Sequence, residues 1–173
     1  MSNFIKHVQS GDKILLNFFN HKIKCKALDV YMPCITYLGS AVFSFLFCII
    51  AIVSKKSFIH LLGLNCAASL FFSNIAAQIL KRNVNRIRPY LALDDLNIKL
   101  IGIDKYSFPS GHTTAVFSIA VMISLTFPPI TLPCMLLAFS TGISRMYLGV
   151  HYPSDVIVGM ILGTLSSIII FVI

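Results

Sequence analysis

Two stretches of this chain, Tyr31–Val53 and Phe58–Leu80, each run for 23 residues without Asp, Glu, Lys or Arg. At about 1.5 Å per residue, a helix of that length crosses the roughly 30 Å hydrocarbon core of a bilayer. No other feature limits the fold as much. Composition agrees: of 173 residues, 57% are hydrophobic and 12% charged, and the mean hydropathy is +0.85. A soluble domain of this size would have too little polar surface to stay dispersed.

A third uncharged run, Thr113–Ser144, is too long for one crossing and contains Phe127-Pro128-Pro129 and Pro133. Proline removes a helix donor and disfavours helix in the residue before it, so the run divides into Gly111–Phe127 and Thr131–Leu148. A last span runs from Ser154 to Ile173. The expectation is an all-α, polytopic membrane helix bundle with five transmembrane helices, forming a single membrane-embedded domain over residues 1–173.

Within it, residues 28–173 form the transmembrane core and 1–27 an interfacial amphipathic helix. In that first segment Ile5, Ile14, Leu15, Phe18, Phe19 and Ile23 recur at near-helical spacing among Lys6, Lys13, Lys22, Lys24 and Lys26. Such a helix lies in the headgroup plane with its lysines near lipid phosphates. No secretory cleavage site follows its short apolar core, so Tyr31–Val53 is expected to direct insertion. The five cysteines (25, 34, 48, 66 and 134) form no close pair, which argues for packing roles over a disulfide framework or zinc site. Glutamate is absent, and the six aspartates are scattered, so a two-carboxylate mechanism has little material.

With five spans, alternate helix ends share a side. The end of the second span, the start of the third, the end of the fourth and the start of the fifth then meet on one face. The opposite face holds Lys55, Lys56 and a proline-rich turn. Lys81 and Arg88 lie seven apart, two helical turns, and Pro89 stops the helix; cations there also complement a helix C-terminus. Pro109-Ser110-Gly111-His112 opens the third span. Ser110 is a natural N-cap, and the free amides behind Gly111 form an anion site. Capping does not need His112, an imidazole able to donate a proton near neutral pH.

Arg145 is the only charged residue between Lys105 and Asp155. It could anchor a helix end or grip phosphate oxygens in a bidentate fork. His151 and Asp155 stand four apart around Pro153. Asp155 could simply serve the helix dipole. Alternatively it accepts a hydrogen bond from one ring nitrogen of His151, leaving the other free to attack. Together these groups suit a phosphoryl group held by cations and amides, with one histidine attacking and the other protonating the leaving oxygen.

Lys81-x6-Arg88-Pro89, then Pro109-Ser110-Gly111-His112, then Ser144-Arg145-x5-His151-x3-Asp155 resembles the three-part signature of the type 2 phosphatidic acid phosphatase (PAP2) superfamily. The likeness covers residues 28–173 in architecture, with motif identity confined to 81–155. It implies a metal-independent, cofactor-free lipid phosphatase working through a phosphohistidine. His151 would be the nucleophile, Asp155 its orienting carboxylate and His112 the general acid. Lys81, Arg88, Ser110, Gly111 and Arg145 would hold the phosphate. The expected substrate is a lipid phosphate or diphosphate, such as a polyprenyl diphosphate, phosphatidate, phosphatidylglycerophosphate or a lipid A phosphate. Members often have six spans; here the interfacial helix is expected to stand in place of the first.

The loop from Arg82 to Phe108, with Asp94, Asp95, Lys99, Asp104 and Lys105, is expected to help select the substrate. Membrane lipids are the other partner, and no nucleic-acid partner is expected. A metal set of His112, His151 and Asp155 is disfavoured by the neighbouring cations. The superfamily also includes soluble vanadium haloperoxidases, a role the membrane spans argue against. A noncatalytic lipid-phosphate binding or transport protein is the alternative of a different class, although no charged residue lies mid-span to mark an ion path.

The expected site is the plasma membrane, but two rules disagree on which side the active face takes. Nine cations beyond the motif (Lys6, Lys13, Lys22, Lys24, Lys26, Arg82, Arg86, Lys99, Lys105) lie on the active side against Lys55 and Lys56 opposite. The positive-inside tendency would place that side in the cytoplasm. The resemblance implies an extracytoplasmic face, and this is the expectation adopted, since an interfacial helix and a phosphate-binding loop need lysines for other reasons.

Overall fold

The computed structural model describes residues 3–98 and 105–173. Lys99 and Asp104 of the expected selectivity loop lie outside them. The helices are α1 (Asn3–Asn17), α2 (Lys26–Ile35), α3 (Ala41–Ile52), α4 (Ser57–Val84), α5 (Pro89–Ala92), α6 (Gly111–Thr126), α7 (Thr131–Tyr147) and α8 (Pro153–Val172). An isolated antiparallel bridge joins Ile87 to Tyr106, and no strand forms among the described residues.

α4 and α8 are long and apolar enough to cross a membrane, and α2 with α3 makes a third crossing if the bent pair counts as one. α6 and α7 are shorter, at 16 and 17 residues. The expected division at the prolines matches the break between them, where Pro128–Ile130 forms a 3₁₀ turn. By length and apolarity alone, however, these helices do not add up to five crossings.

Tyr31–Val53, expected as one continuous span, is broken. α2 starts earlier, at Lys26, and ends at Ile35; a 3₁₀ turn over Thr36–Gly39 follows, and α3 departs at 53° to the preceding segment. Uncharged length says that a segment is apolar, not that it is straight. Pro33 sits inside α2 and cannot donate to the preceding turn. Ser40 is extended and recaps the chain, its Oγ accepting from the Phe43 N–H at 3.1 Å. Gly39 packs on the backbone of His112, where even a Cβ would collide. The break therefore seats a turn directly against the expected site.

α6 lies at the centre, packed on α4, α7 and α8, with its residues from Thr113 to Met122 all buried. Its closest partner is α8, where Gly159 and Gly163, one turn apart, let the two backbones approach. A Cβ at Gly159 would come within 2.8 Å of the Ser110 carbonyl oxygen. Serines on three helices hydrogen-bond across this core: Ser69 to Ser167 at 2.8 Å, Ser73 to Ser118 at 3.0 Å, and Ser167 to the Ser118 carbonyl at 2.6 Å. This packing fixes the start of α6 beside the start of α8.

Gly163→Ala is accordingly expected to destabilise the protein by about 1–3 kcal/mol through overpacking. Its new methyl would meet the Ser118 nitrogen at 2.8 Å. Gly11→Ala, which would meet nothing within 4 Å, is the control. Thermal unfolding of both in detergent checks the difference.

α1 turns one face inward. Asp12 and Leu16 of α1, and Asn20 of the π-helical segment that follows it (Phe18–Lys22), are spaced by four and buried, whereas Ile14, Leu15 and Phe18 are exposed. Asn20 donates to the Tyr147 carbonyl at the end of α7 (2.8 Å) and to Asn97 O (3.1 Å), and accepts from the Asn97 N–H (2.8 Å). The amino-terminal segment is thereby tied to the carboxyl end of α7 and to the chain beyond α5.

Candidate active site

Five helix-end regions deliver the expected residues. Lys81 lies in the last turn of α4, whose end is marked by Asn85 in the left-handed conformation (φ 49°). Arg88 is extended immediately before α5. Ser110 caps α6, with Gly111 and His112 in its first turn. Arg145 lies in the last turn of α7, Asp155 in the first turn of α8, and His151 in the bend between them. Gly149, with φ 72°, supplies the left-handed residue that turns the chain after α7.

These groups converge. The ionisable neighbours close enough to act on His112 are Arg145, His151, Arg88 and Lys81. Arg88 Nη1 lies 3.4 Å from His151 Nε2 and 3.4 Å from the Val150 carbonyl oxygen. Because a guanidinium only donates, this contact calls for a lone pair on Nε2 and hence the proton on Nδ1. His151 Nδ1 faces Asp155 Oδ2 at 3.6 Å, beyond hydrogen-bond length, and has no hydrogen-bond partner among the described residues. A shift of a few tenths of an ångström closes that contact, and catalytic hydrogen bonds are commonly long before a substrate binds.

Asp155 serves two ends. Its Oδ2 accepts the Tyr152 N–H at 2.8 Å, capping α8, while its Oδ1 accepts from Arg86 Nη1 at 2.9 Å. The helix-dipole and histidine-orienting readings of this carboxylate are thus compatible. Ser110, fully buried, accepts from the Thr113 N–H (3.4 Å) and hydroxyl (2.9 Å), so capping occupies its oxygen.

The electrostatics are lopsided. Arg88 and Arg145 are only 5% and 2% exposed. Arg145 donates from Nη1 to the Thr36 hydroxyl at 2.6 Å, its Nε has no hydrogen-bond partner among the described residues, and no carboxylate there pairs with it. Burial pulls the His151 imidazole down to about 4; Asp155 opposes this, and the charges of Arg145 and Arg88 reinforce it. At neutral pH the ring is uncharged, with a lone pair available. Beside it, a methyl at Gly111 would meet no atom within 4 Å, so the amino end of α6 opens on free space. First-turn amides have no carbonyl within their own helix to bond.

The sequence profile of the PAP2 superfamily matches residues 62–173. The chain belongs to the PAP2 superfamily. Among similar proteins is a bacitracin transport permease protein, BcrC, of Bacillus licheniformis, 41% identical over 57% of this chain and 49% of that protein. A lipid A 1-phosphatase of Rhizobium etli is 30% identical over 67% of this chain and 52% of its own length. The chain therefore spans about half the length of these two curated relatives. The crystal structure of Aquifex aeolicus LpxE superposes with a TM-score of 0.80 at 30% identity, covering 92% of this chain and 93% of that one.

Several residues around the expected site are not marked by any motif in the sequence. Thr36 meets Arg145 because of the break after α2. Arg86, counted only as a surplus cation, sits two residues before Arg88 and reaches Asp155. Asp12 reaches Arg86 at 2.6 Å. One signal was available for Asp12: it is a lone acid among lysines, one turn before Leu16.

Proposed function

We propose that the protein is an integral-membrane phosphatase that hydrolyses the phosphomonoester or diphosphate of a lipid through a phosphohistidine on His151. The observation that carries this is the buried Arg145, without a carboxylate among the described residues, beside Arg88, two imidazoles and an open helix amino terminus. A site so cationic calls for an anion, and a neutral imidazole at its edge supplies the nucleophile.

In the first step His151 Nε2 bonds to phosphorus as the ester or anhydride P–O bond breaks, and His112 gives the leaving oxygen its proton. Water then attacks the phosphohistidine, returning a proton to His112 and releasing inorganic phosphate. Lys81, Arg88, Arg145 and the amides of Gly111 and His112 stabilise the nonbridging oxygens as charge builds on them; Ser110 shapes that turn by capping it. No metal or cofactor enters these steps. Asp155 keeps the His151 proton on Nδ1.

His112→Ala is expected to slow phosphate release by roughly 10²–10⁴-fold, the usual worth of a general acid. A leaving group of low pKa should recover much of that loss, because it needs no proton. Rates for alkyl and aryl phosphates measured on the variant check this.

The substrate class follows from the site's place at the ends of apolar helices, where a headgroup phosphate can enter while its hydrocarbon stays in lipid. The similar lipid A 1-phosphatase supports the same class. Assaying phosphate release from phosphatidate, phosphatidylglycerophosphate, a polyprenyl diphosphate and lipid A, in detergent, tests it. Binding without release from any of them would favour a lipid-phosphate carrier.

We read five crossings: the bent α2–α3 pair, α4, α6, α7 and α8. At about 24–26 Å, α6 and α7 fall short of a full core, yet only alternating passage brings the end of α4, the start of α6, the end of α7 and the start of α8 to one surface. α1 lies at that surface with Ile14 and Leu15, and Phe18 just beyond its end, towards lipid. We place the site on the extracytoplasmic side of the plasma membrane. Asp95→Cys, in a background without Cys25 and Cys34, which are exposed, should be labelled in intact cells by an impermeant reagent. Protection would mean a cytoplasmic site.

A further inference from the structure

From α1 to the proposed nucleophile runs a continuous chain of charge. Asp12, 4% exposed, receives Arg86 Nη2 on Oδ2 at 2.6 Å, together with the Ser154 hydroxyl at 2.6 Å, and on Oδ1 the Ser154 N–H at 2.9 Å. Arg86 Nη1 donates to Ser154 Oγ at 2.7 Å and to Asp155 Oδ1 at 2.9 Å. The guanidinium lies over the Tyr152 ring, 3.9 Å from its centroid. Asp155 Oδ2 then faces His151.

We infer that Arg86 and Asp12 are positioning residues for His151, so that docking of the amino-terminal helix sets the nucleophile. The inference rests on His151 being that nucleophile, but its geometry stands independently. Asp155 has two oxygens and must present one of them to an imidazole. Arg86 claims Oδ1, which leaves Oδ2 to the Tyr152 amide and the ring. Arg86 is itself a long, 20% exposed side chain with rotameric freedom to lose, and Asp12 removes that freedom from the other end of the fork.

Without Arg86 two carboxylates would crowd around Ser154 with no charge between them, and Asp155 would turn away. Partners one step removed from a reacting group commonly govern its tautomer and orientation. α1 supplies the outermost member of the chain, while its exposed Ile14 and Leu15, with Phe18 just beyond its end, lie on the opposite side from the buried Asp12 and Leu16. The nucleophile is thus wired to a helix whose outer surface suits lipid.

The experiment uses the full chain purified in detergent, with Asp12→Asn, Arg86→Gln and Arg86→Lys. Phosphate release is measured on whichever lipid phosphate the wild type turns over. The ¹⁵N shifts of the His151 ring are recorded alongside, assigned by the signal lost in His151→Asn. Asp12→Asn and Arg86→Gln are expected to lower kcat by roughly 10–100-fold with KM within about threefold. The ring should move from a single Nδ1–H tautomer towards a mixture, and Arg86→Lys should restore part of both. Ring shifts that stay put in both charge-removing variants would overturn the inference, whatever the rates. A loss carried by KM alone, or by the folded fraction alone, would also overturn it. If the wild type released phosphate from no lipid, the proposed function would fall, and the ring shifts would still decide whether this chain positions His151. Asp12→Asn, nearly isosteric, keeps the test open should Arg86→Gln fail to fold.

Discussion

His151→Ala should lose phosphate release by at least about 10⁴-fold, the scale on which removing a nucleophile acts, while its thermal unfolding stays close to that of the wild type. No other group the geometry brings to the site can take over the attack. His112 faces the same cations, but no carboxylate is among the charged groups acting on it. It therefore lacks the partner that would stabilise a charged phosphoimidazole. His151 has Asp155 at 3.6 Å, which in the proposed mechanism would serve that purpose, and burial lowers the pKa of its ring. Rapid quenching with a radiolabelled substrate should trap an acid-labile, base-stable phosphoenzyme in the wild type and none in the variant. A variant with full turnover would remove His151 from the mechanism.

The parts of this molecule legible in its sequence are those set by local rules. Charge-free length marks the apolar helices, proline spacing places the turn between α6 and α7, and Ser110 announces the start of α6. The motif positions could be assembled because each falls at a helix end, where topology alone decides which ends meet. The bend after α2 was not legible. Pro33 and Ser40 permit it, but the bend is packed through Gly39 on the backbone of His112, more than 70 residues away in the chain. Nor could Arg86 be found, since charge and spacing make it look like an ordinary surface group of a lipid-facing segment, and the lone-acid signal at Asp12 does not name its partner. What separates them is the depth at which they meet Ser154 and Asp155, a tertiary fact. The site's geometry at atom level is settled by contacts between distant segments, whereas the placement of its residues at helix ends is settled locally.

Arg145→Met should change stability and activity in opposite directions. A buried guanidinium without a carboxylate is a cost to the folded state, because desolvation is not repaid by a counter-charge. Here Arg145 is 2% exposed, and the only hydrogen bond its guanidinium makes among the described residues runs to the Thr36 hydroxyl. Methionine fills similar length without the charge, so the ligand-free variant should unfold at a higher temperature. In the proposed mechanism the missing counter-charge arrives with the substrate: a phosphate held between Arg88 and Arg145 would supply it, most strongly as charge develops in the transition state. Phosphate release should therefore fall by roughly 10³–10⁵-fold, the range seen when an arginine is withdrawn from a transferring phosphoryl group. Orthovanadate or inorganic phosphate should raise the unfolding temperature of the wild type by binding the folded state and leave that of Arg145→Met where it was. A variant both less stable and fully active would make Arg145 a packing residue and leave the site without the cation around which it is built.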